Sequence, residues 1–226
     1  MDRAWQPTGS YYTEQEATHV FEDFQSDFAS FGALYDRLEN GSTFEIPDLL
    51  RRGRQVQRGM AAWTKHDLEE IVRWRRIQSL MPRIDENIEL RLAQTLKLQD
   101  EERRIEDLCR IPGVGPVLAS VLLTLTFPER YAPLDNHAWN ALSRLGFELR
   151  KRPYSGGGYT AHELFRYTRI VRSLAKSMDT LPWDMAKALH ALDKVDTETK
   201  WKSEFDLIRF TSSHPASFTK ARNSRA

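Results

Sequence analysis

Apolar side chains recur at three- and four-residue intervals along most of the 226-residue chain, the spacing that lines one face of a helix. From Thr13 to Gly41 the pattern runs through Val20, Phe21, Phe24, Phe28, Phe31, Leu34, Tyr35 and Leu38. Thr13 with Glu16 makes a capping box at its start, and Asn40-Gly41 stops it. Gly32 marks a point where this segment divides into two helices. Pro47 opens a second helical stretch with Leu49 and Leu50 as its apolar beginning, since proline suits the first helical turn. A third starts at Thr64, carries Leu68, Ile71, Val72 and Trp74 as a stripe, and ends at Pro82. Residues 85–98 and 100–111 follow as two more helices, and "VLASVLLTLTF" (117–127) reads as a buried helix by its length. Helices over "HAWNALSRLGF", "AHELFRYTRIVRSLAKSM" and "WDMAKALHALDKV" complete the pattern, and no segment shows strand alternation or a solenoid repeat. The fold class predicted is therefore all-α.

Composition narrows the chemistry. Charged residues make up 29% and hydrophobic residues 40%, with no apolar run near the roughly 20 residues of a membrane span. The start of the sequence has no apolar signal-peptide core. These features predict a soluble cytoplasmic protein with no membrane partner. Cys109 is the only cysteine, which excludes an internal disulfide, a cysteine zinc site and a cysteine-ligated iron–sulfur cluster. The six histidines (19, 66, 137, 162, 190, 214) do not pair at helical metal-site spacing, so no metal is expected. Net charge is +1, yet the basic residues cluster in "RRGRQVQR" (51–58), "RWRR" (73–76) and "LRKR" (149–152). A basic face can exist without a basic total; solvated helix faces explain the same clusters.

Candidate chemistry concentrates in "RIPGVGPVLASVLLTLTFPERYAPLDNHAWNAL" (110–142). Gly113 and Gly115 flank Val114 between two helices. Glycines allow positive φ and close approach of another backbone, and Pro116 suits the first position of the second helix. Amides at such a helix start favour an anion such as a DNA phosphate; a plain helical hairpin with no ligand uses the same residues. Asp135 precedes the next helix, where a carboxylate is a favoured N-cap.

At these residues the chain resembles the helix-hairpin-helix DNA glycosylase superfamily. "IPGVG" is similar to that family's L-P-G-V-G hairpin, "TFPERYAPL" to its Gly/Pro loop, and Asp135 to its catalytic aspartate. The separation from Val117 to Asp135 matches endonuclease III-like members, and "DNHAWNALSRLG" looks like their D-T-H-V-x-R-V-x-x-R-L-G helix. The likeness runs from about Glu106 to Gly146. It implies a two-lobed helical fold with a cleft, in which residues 1–60 are an N-terminal segment packing on the core. Residues 61–210 would then be the glycosylase-like domain, with the hairpin at 106–127 and the loop and Asp at 128–135, and 211–226 a disordered tail. The implied function is a monomeric enzyme that flips a damaged or modified base from double-stranded DNA and hydrolyses its N-glycosidic bond, nucleoid-associated if bacterial.

The resemblance assigns catalysis to Asp135 and DNA binding to Gly113, Val114, Gly115 and Val117. It implies no cofactor beyond a monovalent cation at the hairpin. Bifunctional members carry a lysine where this chain has Val117, so a monofunctional enzyme without hairpin-lysine lyase activity is expected. A glycosylase needs a base pocket, for which Tyr131, Asn136, Trp139 and Tyr154 are candidates; packing accounts for the same aromatics. His137 adjoins the catalytic position, and Gly156-Gly157-Gly158 form a loop over DNA or a linker. Three alternatives remain open: a glycosylase for a hypermodified base in genome defence, a DNA-binding module without activity, and a helical scaffold with no DNA role.

Overall fold

The computed structural model describes residues 14–39, 46–74, 87–149 and 158–213. Among these the regular structure is entirely α-helical, as the periodicity predicts. The helices are α1 (Glu14–Glu39), α2 (Ile46–Gln57), α3 (Lys65–Trp74), α4 (Ile88–Leu96), α5 (Glu101–Cys109), α6 (Pro116–Thr126), α7 (Asn136–Arg144), α8 (Ala161–Ser177), α9 (Pro182–Thr197) and α10 (Thr199–Ser213). None of them is long and apolar enough to cross a membrane.

Local sequence explains three of the helix starts. The Asp100 carboxylate accepts from the Arg103 amide at 2.8 Å and caps α5. Thr64 and Asp67 cap α3 reciprocally, with Asp67 N–H donating to the Thr64 hydroxyl and Thr64 N–H to the Asp67 carboxylate. Thr160 and Glu163 make a full capping box on α8. The box expected at Thr13 lies outside the described residues, as does the end expected at Pro82.

The described chain divides into two compact units. One holds α2 to α6, the loop to Asn136, α8 and the first residues of α9; the other holds α1, α7 from His137, α9 from Lys187, and α10. The first unit is built around α6, whose residues Leu118 to Thr126 are all buried. A helix apolar on every side must lie inside a core, and α2, α5 and α8 all pack on it. In the second unit, Phe24 and Phe31 stack on α1 and Phe31 stacks on Phe205 of α10 with ring centroids 4.4 Å apart.

Two expectations change. First, α1 passes through Gly32 as one helix; a single glycine costs about 1 kcal/mol against alanine, which the buried Phe24, Phe31 and Leu34 outweigh. Second, α10 has no counterpart among the helices read from periodicity. Its Trp201 and Phe205 are buried one turn apart, and the helix runs through Ser213, so residues 211–213 of the expected tail are helical. Residues 41–136 fall in one unit, which groups α2 with the hairpin. Gly53 is the physical reason: a Cβ there would lie 1.9 Å from the Leu125 carbonyl oxygen, so α2 touches the backbone of α6 directly.

Candidate functional site

The hairpin joins α5 to α6 through residues 110–115, a turn closed by two backbone hydrogen bonds, Ile111 N–H to Leu108 O (3.1 Å) and Val114 N–H to Ile111 O (2.9 Å). Gly113 takes φ 84°, a conformation that side chains strain to adopt. Val114 turns inward and is 1% exposed. Gly115 differs from Gly113. Its φ of −79° and ψ of 173° suit any residue, and a Cβ on it would meet nothing within 4 Å. Nothing in the described fold requires glycine there. It is also the N-cap of α6, where it offers no side chain to the helix start, and Pro116 follows. Val117 is half-buried in the first turn.

One hydroxyl links this turn to the acidic loop. Ser120 Oγ donates to the Val117 carbonyl at 2.6 Å and accepts from the Leu134 amide at 2.9 Å. The Tyr167 hydroxyl donates to the Pro133 carbonyl at 2.9 Å. Pro133 and Leu134 are buried, and Asp135, next in the chain, is half-buried. Both residues ahead of Asp135 are thus held by buried side-chain hydroxyls, which restricts where its carboxylate can go. Immediately after it, Asn136 Oδ1 accepts from the Tyr159 hydroxyl at 2.5 Å.

The aromatic candidates are placed in the packing. Tyr131 is 1% exposed. Arg104 Nη1 donates to its hydroxyl at 2.9 Å, and the guanidinium groups of Arg130 and Arg172 lie over its ring at 5.9 and 5.5 Å. Burial and the neighbouring Glu101 carboxylate push its pKa up to about 12. Burial also acts to raise Glu101, but hydrogen bonds from Arg172 and Tyr131, with the charges of Arg172 and Arg130, outweigh it and hold the carboxyl below its ordinary value. Trp139 is likewise 1% exposed. Tyr154, Gly156 and Gly157 lie outside the described residues; Gly158 is exposed.

His137 is paired, which its sequence position could not reveal. Its Nδ1 lies 2.6 Å from Asp193 Oδ2, and its ring is 4.7 Å from that of His190. Asp193 is 1% exposed and also accepts from Arg144 Nη2 at 2.9 Å. Sequence reasoning does not single out Asp193, Arg144 or His190. The signal for them is weak: three ordinary polar residues on helical faces, two of them separated from His137 by a long stretch of chain. Among the described residues no group of three or more His, Cys, Asp or Glu could hold a metal ion.

Of the basic clusters, Arg51 pairs with Asp48 at 2.9 Å and Arg52 with Asp67 at 3.2 Å. Arg54 and Arg58 are exposed. Comparison with known protein families, curated proteins and solved structures returned no match.

Proposed function

We propose that the chain is a monofunctional DNA glycosylase of the helix-hairpin-helix kind, with Asp135 as its catalytic carboxylate. The observation that carries this reading is the Ser120 bridge, one hydroxyl bonded both to Val117 in the first turn of the hairpin helix and to Leu134 beside Asp135. It gives a physical reason for the separation of Val117 and Asp135: a phosphate contact at the hairpin and a carboxylate at the loop would belong to one braced unit. Gly115 supports the same reading. A glycine that the fold does not need, at an uncapped helix start, suits the close approach of a phosphate.

In the proposed reaction the bond between the base nitrogen and C1′ breaks and its electron pair leaves with the base. Positive charge develops on the sugar, and the Asp135 carboxylate stabilises it. Water attacks C1′ and loses a proton to Asp135 or through it to solvent. Catalysis of this form needs a fixed carboxylate, and the buried anchors at Pro133 and Leu134 supply the fixing.

The test is incubation with a panel of duplexes carrying damaged and modified bases, with mass spectrometry of released bases. Asp135→Asn should abolish release while DNA affinity stays within a small factor, because the amide keeps the shape and loses the charge. Near-normal turnover by folded Asp135→Asn would refute the assignment. Salt-dependent DNA binding with no release from any duplex would leave a binding module instead.

A further inference from the structure

At the far end of α6 from the hairpin lies a cavity of about 570 Å³, within the range of small-molecule sites. The 11 residues of α6 span about 16 Å at 1.5 Å per residue, so the two features are separate. The cavity opens where α2, α4 and the residues after α6 meet, all within one compact unit. Val56, Ala61, Ala93 and Leu96 give it an apolar wall, beside the half-buried ring of Phe127. Gln57 and Gln99 supply amide donors and acceptors at its border.

Its charge is one-sided. Arg58, Lys97, Arg104 and Arg130 line it, and among the described residues no Asp or Glu does. Arg58 and Lys97 are exposed and make no ion pair with a described residue. Arg104 is 4% exposed, and a guanidinium that deep is rarely left without a counter-charge. Its Nε and Nη2 donate to the Leu98 carbonyl and its Nη1 to the Tyr131 hydroxyl, all uncharged acceptors. It also lies 5.2 Å over the Phe127 ring. The nearby carboxylate, Glu101, is occupied by Arg172 at 2.6 Å and Arg130 at 3.5 Å. With Glu101 shared between Arg172 and Arg130, the two guanidinium groups that line the inner end of the cavity, Arg104 and Arg130, keep excess positive charge. The geometry therefore calls for a ligand with about two negative charges at one end and a planar, partly apolar body at the other.

We infer that this cavity binds a nucleoside monophosphate, either free or as the 5′-phosphate end of a strand. The phosphate would face Arg104 and Arg130 with Arg58 and Lys97 closing over it. The base would lie along the apolar wall by Phe127, its edge within reach of Gln57 and Gln99. The inference stands apart from the glycosylase reading, since it uses neither Asp135 nor the hairpin.

Isothermal titration calorimetry of the whole chain at low salt tests it with adenosine 5′-monophosphate, adenosine and inorganic phosphate. The monophosphate should bind at least ten times more tightly than either fragment. Arg58→Glu with Lys97→Glu, both exposed positions, should weaken it at least tenfold while the melting temperature without ligand stays unchanged. Short oligonucleotides with 5′-phosphate or 5′-hydroxyl then separate the sources: a preference for the 5′-phosphate strand over the free nucleotide keeps the site and assigns it to strand ends. Equal affinity for inorganic phosphate and the monophosphate would overturn the inference. So would binding that survives the double charge reversal, or no saturable binding of any probe at millimolar concentration.

Discussion

Replacing Gly53 with alanine should destabilise the protein, although the same change inside a helix ordinarily stabilises by about 0.5–1 kcal/mol. A methyl at position 53 would sit 1.9 Å from the Leu125 carbonyl oxygen, against the 3.4 Å or more of an ordinary contact. The obstacle is backbone at the end of the buried α6, so no side chain can rotate away; α2 itself must retreat by more than an ångström. Overpacking of this kind costs about 1–3 kcal/mol. The shift also strains the neighbouring bond from Trp63 Nε1 to Thr126 Oγ1 at 2.9 Å, where a lost buried partner costs about 1–3 kcal/mol more. With the helix-propensity gain subtracted, the net loss should be about 1–5 kcal/mol, or a melting point lower by about 2–20 °C for a chain of this size. Gly32 is the internal control. It lies within α1, and a methyl added there would meet nothing within 4 Å, so Gly32→Ala should stabilise by about 0.5–1 kcal/mol. Urea denaturation of the two variants reads both signs in one assay. Gly53→Ala as stable as the parent would mean that α2 does not lie on the α6 backbone.

Ser120→Ala should cost about 1–3 kcal/mol by leaving the Leu134 amide without its acceptor; if the variant releases base at the parent rate, the bridge does not fix Asp135. The depressed Glu101 carboxyl stabilises the fold above its ordinary pKa of 4.5 and ceases to as pH falls through its lower folded value. The stability gap between the parent and Glu101→Gln should therefore shrink below pH 4.5, and a gap independent of pH would contradict the shift. Burial pushes the Cys109 thiol up to about 12, so only about one thiol in ten thousand is ionised at pH 8. Iodoacetamide should then label the native protein far more slowly than the urea-unfolded one, and equal rates would show an open thiol. With a cognate duplex, borohydride should trap no adduct through position 117, because valine offers no amine; efficient trapping would refute the monofunctional reading.

The helical elements are legible because each buries a stripe that repeats every turn. Phe24, Phe31 and Leu34 announce α1, and the unbroken apolar run of α6 announces a helix with no solvent face. What escapes is set by neighbours distant in sequence. Trp201 and Phe205 mark α10, but the surrounding Lys200, Lys202, Glu204 and Asp206 dilute the signal that Phe31 completes in space. Gly53 reads as a weak point in a helix until Leu125 is seen against it. Tyr131 stands out in sequence as an aromatic near Asp135, and its role becomes clear only with Arg104 at its hydroxyl. The candidate site divides the same way. Gly113, Gly115 and Asp135 are visible as punctuation in the chain, while Ser120, Tyr167 and Tyr159 are ordinary as letters and matter through the groups they hold.

The stack of Phe31 on Phe205 has a bearing on the order of folding. The unit that contains it gathers α1, α7, part of α9 and α10 from far-separated stretches, whereas the hairpin unit draws most of its helices from one continuous stretch. Closing a long loop costs entropy before any contact repays it, with about 0.6 kcal/mol for each doubling of length. Contacts between near neighbours form sooner. On a ribosome, then, the hairpin unit can assemble while α1 waits for a helix not yet made, with Phe31 exposed in the interval. Slow translation between α7 and α10 would lengthen that exposure, and a chaperone that recognises aromatic helical segments would find α1 its target.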